Sequence, residues 1–450
     1  MIRVKNKKTH VFMLVLLLIL GIGFAALAAT LKINGTITID SAKWDVHFEN
    51  VEVVQGSVTA TTVPVSDNTT TTEMTYAVDF TQPGDFYEFT VYIANDGTID
   101  AMVNLVTNKV YAADGETEKQ LPAYLKSTVT YDDGAPISKN QLLAKQTSEK
   151  IKVRVEFRSD VEASELPSTN ETTVFKFSST FKQADENACQ KVTTFANDSW
   201  DTIQCNVRNN PLSYPLGAEK TIEMDIDGDN TNETYTLRVA NNTTPAECST
   251  TGFSQSACGF VVEFADVISK YRINPYVSGD TTTPGVKSKG GWEYSDMRAY
   301  LNSTTYAYES IDYSTTGIYN KLPSDLKSKI INTTVVSGHN NYDTANFTTT
   351  DKLYLLATHE VWEKDDTSSI DNYDSVYNNT RQLDYYHNKG VTTSKYSGAI
   401  KKYNGTNNKW WLRSAVSYNE NGFYDVGDLG SWGNDGSHSI SGVSPAFRIG

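Results

Sequence analysis

Two groups of residues in this 450-residue sequence have types and spacing that could do chemistry. Asp225, Asp227, Asp229 and Glu233 stand at the first, third, fifth and ninth positions of an acidic loop. Oxygen ligands at that spacing suit a hard cation, since Ca²⁺ takes about six to eight of them. The sixth position, a glycine in EF-hand loops, is Asn230, which also tolerates a left-handed backbone. The twelfth-position glutamate is replaced by Thr236. A solvated polar hairpin turn is the competing reading. The second group is aromatic: Trp292, Tyr294, Trp410, Trp411, Tyr424 and Trp432. Aromatic faces stack on sugar rings, and neighbouring amides and carboxylates satisfy sugar hydroxyls. Trp410 and Trp411 are adjacent, so on a strand one ring faces each side, and both are expected in the core. Arg413 and Arg448 would then need acceptors close by. Trp432 and Tyr424 lie in a polar, turn-rich stretch. With Asn434 and Asp435 they are the expected ligand contacts.

Other combinations carry less. His359, Glu360 and Glu363 lack the second histidine of a zinc protease helix. His47, on the polar side of its strand, is expected to be solvated. There is no Gly-x-Ser-x-Gly nucleophile elbow. Carboxylate pairs such as Asp365 and Asp366 are too common in an acidic chain to indicate a glycosidase. Four cysteines, Cys189, Cys205, Cys248 and Cys258, suggest two bridges. Of the three connectivities, Cys189–Cys205 and Cys248–Cys258 are preferred because each closes a short loop. Net charge is -15, with Asp+Glu 54 against Lys+Arg 39, which disfavours nucleic acid as a partner. No metal other than calcium, and no organic cofactor, is suggested.

Arg3, Lys5, Lys7 and Lys8 precede an apolar run from Val11 to Ala29 that ends in Ala26, Leu27 and Ala28. This reads as a secretory signal, with an uncleaved N-terminal membrane anchor as the alternative. Either way the remainder is exported. From Thr30 the pattern has period two, as in Leu31, Ile33, Ile37 and Ile39, and again in Trp44–Glu49, Phe86–Ile93, Ile151–Phe157 and Phe175–Phe181. A β-sandwich is expected over residues 30–184, with one short helix between Lys119 and Lys126. A polar linker, 185–195, leads to a second domain over 196–450. That domain opens with a hairpin, Thr221–Asp225 and Thr234–Val239. Helices are expected at Val261–Tyr271, Ser295–Asn302, from Pro323, and at Thr380–Asn388, stopped by Gly390. Lys352–Ala357 reads as a buried strand.

The leader running into Ala29–Ile33, the strand Lys43–Asn50 and the stretch Val91–Ala101 resemble camelysin and biofilm-fibre β-sandwich exoproteins. That resemblance implies self-assembly or a place in a biofilm matrix. The order of hairpin, Gly290–Asn302, Leu353–Leu356, then Trp410–Ser414 and Ser444–Arg448 resembles a bacterial surface family known as domain of unknown function 6273. The family's commoner ending has an arginine where this chain has Ser444, so one cation is missing from that region. The same family resemblance implies a C-type-lectin-like or formylglycine-generating-enzyme-like fold. The oxidase activity is not expected, because no cysteine follows Cys258. The fold class expected is therefore mixed, an antiparallel β-sandwich followed by an α+β C-type-lectin-like domain. The expected function is non-catalytic binding of extracellular glycans or surface proteins by a secreted or cell-surface protein. A structural component of a surface layer or matrix fibre is the alternative, and an exported hydrolase the third reading.

Overall fold

The computed structural model describes residues 42–66, 71–167 and 173–450. The leader, its cleavage motif and the strand expected at Leu31–Ile39 lie outside the described residues. The fold is β-rich, with several antiparallel sheets, and residues 43–450 form one compact unit. No helix among the described residues is long and apolar enough to cross a membrane.

The period-two segments pair as their alternation demands. One sheet runs Val46–Gly56, Phe86–Asn95, Thr147–Phe157, Leu125–Tyr131. A second is built on Glu73–Val78, Thr173–Gln183 and Ala101–Tyr111. Their inward residues share one core, in which Phe48 stacks on Phe177 at 5.1 Å and Tyr76 meets Phe89 edge-on at 5.0 Å. Between Glu118 and Tyr131 the chain forms two strands rather than a helix, because Leu125–Tyr131 completes the first sheet against Thr147–Phe157. His47 is buried, not solvated, with its ring Nδ1 3.0 Å from Asp45.

The stretch expected as a linker is packed. Cys189 forms a parallel bridge with Gln141, and Val192 and Phe195 join the core of the C-terminal half. A helix that was not anticipated, Trp200–Asn209, follows, capped by Ser199. The expected hairpin is present as Glu219–Met224 and Glu233–Asn241. It continues through Val261–Phe264 to the terminal strand Ala446–Arg448. The helix expected over Val261–Tyr271 is two strands instead, Val261–Phe264 and Ser269–Tyr271. All four residues of the first are buried, so its apolar spacing reflects cover on both faces rather than a helical stripe. A five-stranded sheet runs Ser269–Tyr271, Ser441–Val443, Trp410–Ala415, Gly422–Val426, Trp432–Gly436. Short helices occur at Asp296–Asn302, Ser324–Lys327 and Asp384–Asn388. Ser295 accepts from the Arg298 N–H at 3.1 Å, and Gly390, with φ +63°, stands just beyond the last of the three. Leu353–Ala357 is buried and extended, joined to the terminal strand by Tyr354 and Ala446.

Candidate functional site

Trp410–Ala415 anchors the C-terminal half, with all six residues buried. The indole N–H groups of Trp410 and Trp411 donate to Ala399 O at 3.1 Å and Tyr271 O at 2.9 Å. Arg413 finds its acceptor in Glu360, with both guanidinium contacts at 2.6 Å and neither side chain exposed. Burial raises the Glu360 carboxyl, but the Arg413 charge and the Arg413, Ser256 and Ala357 hydrogen bonds outweigh it and hold the group below its usual range. Arg448 differs from expectation, since its Nε–H is buried without an acceptor among the described residues.

A buried cation, Lys401, lies beside Ser444. Lys401 Nζ donates to Ser444 Oγ at 2.8 Å, to Phe264 O at 2.7 Å and to Glu263 at 2.6 Å. Arg238 holds the other Glu263 oxygen at 2.7 Å, and the Tyr386 hydroxyl donates at 2.9 Å. Burial pushes the Lys401 ammonium down to about 8, against the pull of Glu263. This group is fully committed to internal partners.

The expected ligand contacts divide across the last hairpin. Tyr424 pairs with Asn434, Val426 with Trp432, and Phe423 with Asp435, without a bulge. Tyr424, Trp432 and Asn434 therefore share one face, and Asp435 lies on the other. On that second face Lys409 lies 3.5 Å from both Asp425 and Asp435. Asp425 is buried, and burial raises its carboxyl above the usual range. Trp432 is half-buried and Asn434 exposed. Tyr424, expected to be exposed, is only 1% so. The turn-rich flanks misled here, because Tyr424 itself sits mid-strand beneath other aromatics. Its ring lies 6.5 Å from that of Trp432. Burial, then the charge of Asp374, then the phenols of Tyr418 and Tyr373 raise the Tyr424 hydroxyl far above the usual range. Tyr373 and Tyr418 are the surface members of this group, 38% and 55% exposed. Neither was singled out from the sequence, and isolated loop tyrosines in a chain with 26 of them give no periodic signal.

The acidic loop brings together Asp225, Asp227 and Asp229, one oxygen of each lying within 4.8 Å of the others. Glu233 is not in that group; it opens the second hairpin strand and accepts from Tyr235 at 3.3 Å. Asn230 takes the left-handed conformation expected of it, at φ 68°. Backbone N–H groups of Gly228 and Asn230 donate to Asp225 at 2.6 and 3.1 Å. His359 is occupied, stacked on Tyr377 at 4.1 Å with Nε2 3.2 Å from Glu363, while Glu360 turns inward to Arg413. The cysteines form Cys189–Cys205 and Cys248–Cys258.

Residues 267–450 match the family described as "Domain of unknown function (DUF6273)". The match begins well inside the region 196–450 that carried the resemblance. No curated protein matches the chain.

Proposed function

We propose that this chain is an exported bacterial cell-surface protein. Its C-terminal domain, read as α+β and C-type-lectin-like, binds glycan or protein ligands without catalysis. The observation that carries this reading is the half-buried Trp432, set beside the exposed Asn434 on one hairpin face next to further aromatics. Large aromatic rings with polar neighbours are the usual anchors of binding surfaces. Two disulfides suit an oxidising compartment, in keeping with export. Trp432→Ala is expected to weaken ligand binding by at least about tenfold while costing only about 1 kcal/mol of stability, because the ring is partly packed on the core. Binding titration and calorimetry of the same variant check both numbers. Wild-type affinity ends the site assignment.

A structural role is the second reading, favoured by Val46–Gly56. This strand lies at the edge of its sheet and exposes Val53 and Val54 by 52% and 53%. Apolar edge strands pair readily with other chains. Electron microscopy of concentrated protein is expected to show filaments under this reading, and persistent monomers end it.

Calcium is proposed for the Asp225, Asp227 and Asp229 loop. Oxygens within 4.8 Å of one another fit around an ion with Ca–O distances of about 2.4 Å. Ca²⁺ at about a hundredfold over its Kd is expected to stabilise the protein by about 2.7 kcal/mol. The effect should vanish in Asp227→Ala, and a melting temperature indifferent to Ca²⁺ removes the ion from the account.

A further inference from the structure

Tyr373 and Tyr418 pack edge to face, with centroids 4.5 Å apart and planes at 69°. The Ser417 N–H donates to Tyr373 O at 2.9 Å and ties together the loops that carry them. Neither phenol hydrogen-bonds a described residue. Near them lies Tyr424, a buried residue of the strand Gly422–Val426. Six other tyrosines of the C-terminal half are buried, and each donates its hydroxyl: Tyr214 to Asp198, Tyr306 to Gly285, Tyr313 to Asp296, Tyr354 to Ser256, Tyr377 to Trp362 and Tyr386 to Glu263. Tyr424 donates to no described residue, and its oxygen is not among the sealed, unpaired atoms. A buried phenol ordinarily finds a partner. The Tyr424 hydroxyl is open to a partner from solution.

The setting narrows what that is. Asn434, directly opposite Tyr424 in the ladder, and Asn346, which donates to Ser375 O beside Tyr373, are exposed amides. The buried carboxyl of Asp374 lies behind, and the chain carries a net charge of -15. Anionic ligands are repelled by such a field. We infer that this corner binds neutral sugars, with a pyranose ring lying on Tyr373 and Tyr418 and an exocyclic hydroxyl or amide accepting the Tyr424 phenol. The inference rests on the ligand-binding reading above and gives it a ligand class.

The test is an array of neutral hexose and N-acetylhexosamine oligosaccharides, with sialylated and sulfated counterparts, probed with the full-length protein. Neutral hits are expected, weakened about tenfold by Tyr418→Ala. Tyr424→Phe should weaken them about fivefold with no change in melting temperature, since that hydroxyl has no protein partner to lose. A merely structural Tyr424 would bind as wild type after loss of its hydroxyl, which overturns the inference. Hits confined to charged glycans, or a silent array, overturn it as well. If Trp432→Ala abolishes binding while both tyrosine variants retain it, the sugar platform falls and the broader reading stands. If Trp432→Ala also binds as wild type, both fall.

Discussion

Glu360→Gln is expected to cost about 3–5 kcal/mol of stability, the usual penalty for leaving one member of a buried ion pair alone. Glu360 and Arg413 are both fully buried. The guanidinium is satisfied on every side, by Val336 O at 3.1 Å, Leu355 O at 2.8 Å and Ser256 Oγ at 3.0 Å as well as by the carboxylate. Glu360 in turn accepts from Thr380 Oγ1 at 2.8 Å and the Ala357 N–H at 2.9 Å. Glutamine keeps the shape but turns one acceptor into a donor, which then faces other donors. It also leaves Arg413 charged where no water can reach it. Removing both charges with apolar residues of similar volume should recover most of the loss. The pH dependence has a definite sign. The folded Glu360 carboxyl lies below its usual value. Its contribution is therefore complete above the unfolded value and disappears as pH falls through the folded one. The stability gap between wild type and Glu360→Gln should be widest near neutral pH and narrow on acidification. Calorimetry across that range checks it, and a loss under about 1 kcal/mol at neutral pH defeats the argument.

That ion pair also marks the limit of what the chain discloses on reading. Strand alternation is local, so Phe86–Ile93 and Ile151–Phe157 were legible, and so was the hairpin around Asp225–Glu233. The Trp410–Trp411 pair was legible as core because two adjacent large rings need cover on both faces. The need of Arg413 for an acceptor follows too, but not its identity, since Glu360 lies 53 residues away and locally resembles part of a metal motif. Val261–Tyr271 reads as helix because the spacing of Val262, Val267, Ile268 and Tyr271 suits a helical face. What settles it is pairing to Leu237–Asn241 on one side and Ala446–Arg448 on the other, which no local pattern contains. Tyr424 fails for the same reason, because the groups that act on its hydroxyl, Asp374, Tyr418 and Tyr373, stand on separate loops.

The second large effect is expected at the joint. Cys189 is stitched into the N-terminal half, with Leu142 N–H donating to its carbonyl and its own N–H donating to Asn140 O, both at 2.8 Å. Cys205 belongs to the helix Trp200–Asn209, whose Trp200, Ile203 and Val207 lie in the C-terminal core. The bridge thus spans the two halves across a sequence separation of 16. A loop of that length predicts a loss of about 3 kcal/mol when Cys189→Ser and Cys205→Ser are combined. Near the bridge, polar side-chain contacts also cross the joint: Gln141 to Asn206 at 3.1 Å, Asn140 to Asn209 at 3.2 Å, and Ser138 to Ser213 at 3.4 Å. Each contributes about 1 kcal/mol at most. Without the covalent link these bonds are too few to make both cores melt together. Calorimetry should therefore resolve two transitions in the double variant where the wild type gives one. One coincident transition at the wild-type temperature would show that packing alone holds the halves. Cys248–Cys258 provides the control, because it joins the turn Ala246–Ser249 to the residue that ends the turn Gln255–Ala257, within a single core. Its removal should lower stability without splitting the melt, which separates the loss of a cross-link from the loss of a joint.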